Sequence, residues 1–446
     1  MTFNSANEVY AYLDRYLNFE RKVEPTAYRL DRMQALKELF GRPDEGYRII
    51  HVAGSKGKGS TAAMIASILQ EAGCRVGLYT SPHLISFTER IAINGVPVDE
   101  RTLFACAQEI SDVMEHKTEV DFPGGETPTY FELLTMLGFL CFRRAGCTDA
   151  VIEVGLGGRL DSTNVVVPRL SIITPIELEH TDLLGTTIPE IAYEKAGIIK
   201  PGVPVFSSAT RQEALNVFKA RAAEQGTSLT ILDDVAVITE CYIDKQGTSA
   251  RVRWYDEPRF GPPLLLRTPM IGRVQARNAA LAATVARSLG YNDETILGGL
   301  AKAKLRARFE IIPGDPVVIL DGAHTADSIR ACTDDFVRLF PAGGALLFGC
   351  AKGKSPRLMA EALREGFSEV LITKPGTFKE SDPEEIEQAF KAEGFKTRRN
   401  DDTGSAIIEA LNRASSRGIP LLITGSFYLC AAAAGIVDAR IKQAER

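Results

Sequence analysis

The sequence predicts an α/β protein with two doubly wound domains, a P-loop-type one over residues 1–300 and a smaller Rossmann-like one over 301–446. Three observations predict it. Short Val- and Ile-rich runs alternate with longer helical stretches. Polar residues gather where those runs end. A lysine-bearing glycine segment, Gly54-Ser55-Lys56-Gly57-Lys58-Gly59-Ser60, joins an apolar run to a helical one. Right-handed crossovers turn such alternation into parallel sheets covered on both faces, with ligands at the carboxyl ends of the strands.

The first strand expected is Arg48-Ile-Ile-His-Val-Ala53. The glycines after it reach backbone angles that side chains forbid and turn successive N–H groups toward one point beside a helix N-terminus, which suits a phosphate. Lys58 adds a point charge for terminal phosphates, and Ser60 a hydroxyl near a bound magnesium. The pattern is not the standard G-x-x-x-x-G-K-[ST], since Val52 stands at its first glycine and Gly59 follows the lysine. A plain glycine turn is the competing reading, and it has no need of two lysines. A helix is expected over 61–72, then strands over 75–79, 150–154, 170–175 and 203–206.

Strand ends then supply the chemistry. Thr80-Ser-Pro-His-Leu84 follows the second run, Val151-Ile-Glu153 closes the third on a carboxylate, and Ile172-Ile-Thr-Pro-Ile-Glu-Leu-Glu-His180 carries the fourth to His180. Glu153 sits where a nucleotide enzyme holds magnesium through one carboxylate while phosphates supply other oxygens. The alternative is a strand-end acid paired with a local cation such as Arg159.

Residues 230–265 mix alternation with turn residues and read as a β-rich excursion. A helix is expected from about 275 to 289, with Asn278 among its alanines, and a domain boundary near 300. Arg306 and Arg308 read either as a solvated basic face or as phosphate contacts at a domain junction. Later strands are expected over 317–320, 345–348, 369–373 and 420–424. Asp321, ending the first of these before Gly322-Ala-His324, is equally a ribose or metal acceptor and a cap for the next helix.

Composition excludes several classes. The chain of 446 residues is 45% hydrophobic with a net charge of −5, so it has ample core and no global basic field for nucleic acid. No apolar run approaches the ~20 residues that span a bilayer, and the runs 133–142 and 427–437 read as core helices. The N-terminal segment lacks the basic and apolar blocks of a signal peptide. Eight cysteines without a C-x-x-C pair indicate neither zinc nor a disulfide framework. A cytoplasmic monomer is the expectation.

Several long motifs together resemble the Mur-ligase superfamily, and within it the dihydrofolate synthase/folylpolyglutamate synthase family. They are His51-Val-Ala-Gly-Ser-Lys-Gly-Lys-Gly-Ser60, the segment from Thr80 through Gly95, Glu153-Val-Gly-Leu-Gly-Gly-Arg-Leu-Asp-Ser-Thr-Asn164, His180-Thr-Asp-Leu-Leu-Gly185, Glu194-Lys-Ala-Gly-Ile-Ile199 and Thr424-Gly-Ser-Phe-Tyr428. The resemblance implies the Mur-ligase architecture, with a P-loop ATPase-like domain first, and ATP-dependent joining of glutamate to dihydropteroate or to a reduced folate through an acyl phosphate. It implies that Gly54 to Ser60 hold the ATP phosphates, with Asn278, Arg308, Asp321 and His324 also on the nucleotide and the two domains closing over it. Magnesium falls to Ser81, Glu153 and His180, supported by Lys195 as a carbamate; Lys58, Glu153, His180 and Lys195 are the catalytic set. Thr129, Tyr130, Phe131, Glu132, Leu160, Asp161 and Ser162 match the segments of the dihydropteroate pocket, where an aromatic pair beside an acid suits a flat pterin; an ordinary helix start is the alternative.

Three positions depart from the family pattern. Lys56 and Thr325 each replace an asparagine, and Gly349-Cys-Ala-Lys-Gly-Lys-Ser355 stands where an Asp-Lys-Asp motif is common. Competing readings are a P-loop phosphotransferase or hydrolase that forms no amide, a Mur-type ligase of another acid or amino acid, and a silent nucleotide-binding module.

Overall fold

The computed structural model describes residues 2–18, 29–376 and 379–444. They form two compact units: residues 1–240, 250–267 and 277–303 make the first, and residues 241–249, 268–276 and 304–446 the second.

The first unit is built on eight strands: β1 (Arg48–Ala53), β2 (Val76–Tyr79), β3 (Ile91–Ile93), β4 (Val96–Pro97), β5 (Asp149–Glu153), β6 (Leu170–Ile173), β7 (Val205–Ser207) and β8 (Leu229–Ile231). Their order is β4-β3-β2-β5-β1-β6-β7-β8. From β2 to β8 every pairing is parallel, and β3 and β4 add an antiparallel edge. All five residues of β5 and the last five of β1 are buried. Parallel strands covered on both faces need such unbroken apolar runs, which is why these two were legible.

Boundaries shifted where a residue could not serve the ladder. The run 170–175 is strand through Ile173, with a last Thr174 N–H to Ala53 O bond at 2.9 Å before Pro175, and 203–206 starts at Val205 after Pro204; neither proline has an N–H to give. The helix after the glycine segment spans Lys58–Glu71, three residues ahead of its apolar face, because Gly57 starts it from the left-handed region at φ 85°. The 133–142 run lies inside the Tyr130–Arg144 helix, whose residues from Leu133 to Phe142 are all buried. The excursion forms a three-stranded sheet in the order β11-β10-β9, with β9 (Ala236–Asp244), β10 (Gly247–Trp254) and β11 (Leu264–Thr268).

The second unit carries six strands in the order β12-β13-β17-β14-β15-β16. They are β12 (Glu310–Ile312), β13 (Val318–Leu320), β14 (Ala345–Phe348), β15 (Glu369–Ile372), β16 (Lys396–Arg399) and β17 (Leu421–Thr424). All run parallel except β12. The edge strand β16, Lys-Thr-Arg-Arg, was missed because it is charged and mostly exposed, the ordinary defence of a sheet edge. Among the described residues, no helix is long and apolar enough to cross a membrane.

Candidate nucleotide and metal site

Sheet order brings the ends of β2, β5, β1 and β6 side by side, and the chemistry-bearing loops leave from those four ends. Val52 pairs with Glu153 in the β1–β5 register, so the carboxylate stands beside the point where β1 enters the glycine segment. Gly54 lies at φ 143° with the Thr174 side chain where a Cβ would go, and a Cβ on Gly57 would meet the Asn278 amide. Both positions therefore exclude side chains on geometry as well as on backbone angle. The loop is braced from β6: Ser55 and Lys56 N–H both donate to Pro175 O, at 2.9 and 3.2 Å, and the Ser55 hydroxyl donates to Glu177 O at 3.1 Å. The first-turn amides of the Lys58–Glu71 helix lack partners inside that helix and are the natural anion donors.

A buried charge cluster lies beneath the loop. Lys195 Nζ, on the Ile188–Ala196 helix, donates to Gly54 O at 2.9 Å and to Glu179 at 3.2 Å, and Lys56 pairs with the same carboxylate at 3.7 Å. Burial pushes the Lys195 ammonium down to about 8 against the pull of Glu179, with Lys58 adding repulsion. Burial also disfavours charge on Glu179, but Lys195, Lys58, Lys56 and His180 outweigh it and hold that carboxyl far below its usual range. Glu179 was missed in the sequence, although it directly precedes His180. Lys195 is thus a buried cation with an acid partner, unlike the common surface lysine.

Glu153 is buried and accepts the Ser81 N–H at 3.1 Å, so two of the expected metal ligands meet. Arg159, the cation named in the alternative reading of Glu153, pairs with Glu194 at 2.9 Å. His180 is exposed, in the left-handed region at φ 48°, at the start of the short Thr181–Leu184 helix. Among the described residues, no three His, Cys, Asp or Glu side chains cluster as a ready-made metal site. Magnesium takes one or two protein carboxylates and draws its remaining oxygens from phosphates and water. The buried Glu153 carboxylate held against the Ser81 backbone, on a residue that also carries a hydroxyl, fits an oxygen donor set of that type.

The Thr129–Glu132 segment serves the fold more than the resemblance implied. Thr129 and Glu132 form a capping box for the Tyr130–Arg144 helix, and Glu132 also receives the buried Arg32 guanidinium at 2.8 Å. Tyr130 is buried edge-on to Tyr10. Phe131 is half-buried and covers the face of Gly155, where a Cβ would strike its ring. Leu160 and Ser162 are half-buried as well, and Asp161 between them is buried, accepting N–H groups from Leu156 at 2.8 Å and Thr163 at 3.0 Å. Burial raises the Asp161 carboxyl against those bonds.

In the second unit, Arg308 lies over the Phe427 ring at 5.4 Å, and His324 Nδ1 is 2.9 Å from Gly322 O. Arg306 is engaged by Glu310 at 2.9 Å and Asp438 at 2.8 Å, an ion-paired setting within the second unit. Asp321 caps no helix: its oxygens take the N–H groups of Phe309 at 2.8 Å and Ala323 at 2.9 Å. Thr325 is the cap, for the Ala326–Leu339 helix, a place where threonine and the asparagine that the resemblance implies both supply a side-chain oxygen.

Residues 52–286 match the Mur ligase middle domain and residues 307–427 the Mur ligase glutamate ligase domain. The dihydrofolate synthase/folylpolyglutamate synthase of Bacillus subtilis is 37% identical over 75% of this chain and 78% of its own length. The folylpolyglutamate synthase of Lacticaseibacillus casei is 34% identical, over 90% and 92% respectively. The structure of Mycobacterium tuberculosis folylpolyglutamate synthase complexed with ADP superposes with a TM-score of 0.86 at 28% identity, covering 97% of this chain and 98% of that one. An FPGS–AMPPCP–folate complex superposes at 0.81 with 30% identity, covering 97% and 100%.

Proposed function

The chain belongs to the dihydrofolate synthase/folylpolyglutamate synthase family of the Mur ligases, and we propose how its residues divide the work of an ATP-dependent ligase that joins glutamate to folates. A carboxylate is a poor electrophile. Its oxygen attacks the γ-phosphorus of ATP and ADP leaves; the glutamate amine then attacks the acyl phosphate, a proton is lost, and phosphate departs as the amide forms. Positioning and electrostatics carry such transfers, and no side-chain nucleophile is required.

In this proposal the Lys58–Glu71 helix start receives the phosphates and the Lys58 ammonium neutralises charge on the transferring group. Asn278 borders the loop at Gly57, and Arg308, Asp321 and His324 are the nucleotide contacts assigned to the second unit. Magnesium, when bound, offsets phosphate charge, and Ser81, Glu153 and His180 would hold it, with Lys195 behind them. Phe131, Leu160 and Ser162 touch the pteridine acid, while Thr129, Tyr130, Glu132 and Asp161 hold that surface in place. The protein acts as a cytoplasmic monomer, and all eight cysteines are free, as a reducing compartment favours.

One observation carries the proposal: Glu153 on β5 faces Ser81 after β2, beside the glycine segment that leaves β1. The test is phosphate release from ATP and magnesium with dihydropteroate, tetrahydrofolate and glutamate added in turn. Release that depends on both a pteridine acid and glutamate is expected, and the acid that supports it decides between dihydrofolate synthesis and tail extension. Release indifferent to both would leave a phosphohydrolase.

A further inference from the structure

Behind the loop that follows Glu153 runs a buried line of polar atoms that ends on Asp161 and begins with two residues, His51 and Thr163, to which the ligase reading gives no part. His51, wholly buried in β1, places Nε2 2.9 Å from Thr163 Oγ1, and that hydroxyl lies 2.5 Å from Asp161 Oδ1. The other oxygen of Asp161 accepts the Leu156 N–H at 2.8 Å, so this carboxylate ties the glycine-rich loop to the turn at Ser162–Val165.

Proton counting fixes the direction of the line. Both Asp161 oxygens already take backbone N–H groups and a threonine hydroxyl has one hydrogen, so Thr163 donates to Asp161 and His51 donates Nε2–H to Thr163. The line is one-way. The far end of the turn is anchored separately: Lys200 Nζ donates to Asn164 O at 2.9 Å and Lys37 Nζ to Val165 O at 3.2 Å. What the line governs is therefore the near end, where Leu160, Asp161 and Ser162 lie.

His51 stands three residues before Gly54 on the strand that feeds the phosphate loop, and its register partner Ile152 is the residue before Glu153. We propose that His51 and Thr163 are positioning residues that fix the acid-substrate loop relative to the phosphate loop, through the buried donor chain from His51 to Thr163 to Asp161. This rests on the ligase reading. Its physical basis is that phosphoryl transfer needs the attacking oxygen in line with the γ-phosphorus, and a misplacement of about 1 Å can cost on the order of 10²-fold in rate.

The test is steady-state kinetics of Thr163→Val, Thr163→Ser, His51→Gln and His51→Met, with nucleotide binding measured separately in the absence of acid. Valine and methionine cannot donate; serine keeps the hydroxyl and glutamine can present an N–H near the position of Nε2. T163V and H51M are expected to lower kcat by roughly 10²-fold and raise KM for the pteridine acid, while ATP affinity stays within about twofold. T163S and H51Q should restore both parameters. The T163V/H51M double variant should be no worse than either single one, as expected for groups acting as one unit. Should T163V fail to fold, H51Q against H51M carries the comparison. Wild-type kinetics in T163V and H51M, equal loss in the conservative pair, additive losses in the double variant, or a matching loss of ATP affinity would each overturn the proposal. A wild-type enzyme whose phosphate release ignores acid and glutamate would refute the ligase reading instead.

Discussion

Glu132→Gln separates two roles that one residue could play. Arg32 is 1% exposed, and its guanidinium has Glu132 at 2.8 Å on one side and Glu126 at 2.8 Å on the other; the Glu126 side chain is 56% exposed. Removing one partner of a buried pair costs about 3–5 kcal/mol, and the surviving Glu126 places this case at the lower end, about 3 kcal/mol. Glutamine keeps an oxygen for the Thr129 N–H, so the capping box survives; Glu132→Ala loses it too, adding about 1 kcal/mol. At about 2–4 °C per kcal/mol for a domain of this size, E132Q should melt roughly 6–12 °C lower and E132A lower still. Thermal unfolding followed by circular dichroism, with kinetics at a temperature where both variants are folded, is the assay. Unchanged melting together with a raised KM for the pteridine acid would refute the structural assignment and return Glu132 to the substrate.

Three further outcomes are expected. Lys58→Ala should lower ligase kcat by about 10²-fold or more, a few kcal/mol of transition-state stabilisation, and near-wild-type turnover in single-turnover phosphate release would remove its role. Gly54→Ala should abolish nucleotide binding in a titration with labelled ATP, because its Cβ has to displace Thr174 and, at φ 143°, strain the backbone as well; retained affinity would show that the loop relaxes freely. On the Ala326–Leu339 helix, burial raises the Asp335 carboxyl to about 6, so the folded state holds its proton more tightly than the unfolded chain. Its contribution is complete below about pH 4 and is lost as pH rises through 6, on the order of 1–3 kcal/mol, so Asp335→Asn should raise urea stability at pH 8 and change little at pH 4. Equal effects at the two pH values would contradict this.

Legibility followed burial and local rules. β1 and β5 were readable because a strand covered on both faces must be apolar throughout, and the glycine loop because two of its positions admit no Cβ. The charged edge strand β16 and the two-residue β4 carry no such mark. In the site, Glu153 and Lys195 were legible as members of motifs, whereas Glu179, Arg32 and Thr174 were not. Each matters through a partner remote in sequence: Glu179 through Lys195, Arg32 through Glu132 a hundred residues away, and Thr174 through Gly54. Pairing at that range is a property of the fold. Asp321 and Arg306 were ambiguous for the same reason, since only the structure shows which donors and acids stand beside them.

Lys56 bears on how far this loop can drift. It stands where the family resemblance implies asparagine, and it shares the Glu179 carboxylate with Lys195. Replacing it alone would leave Lys195 and Lys58 acting on that acid, with the phosphate loop resting on the Lys195 ammonium through Gly54. A substitution at this position therefore has to be weighed together with Glu179, Lys195 and Lys58, since the four charges balance as a set.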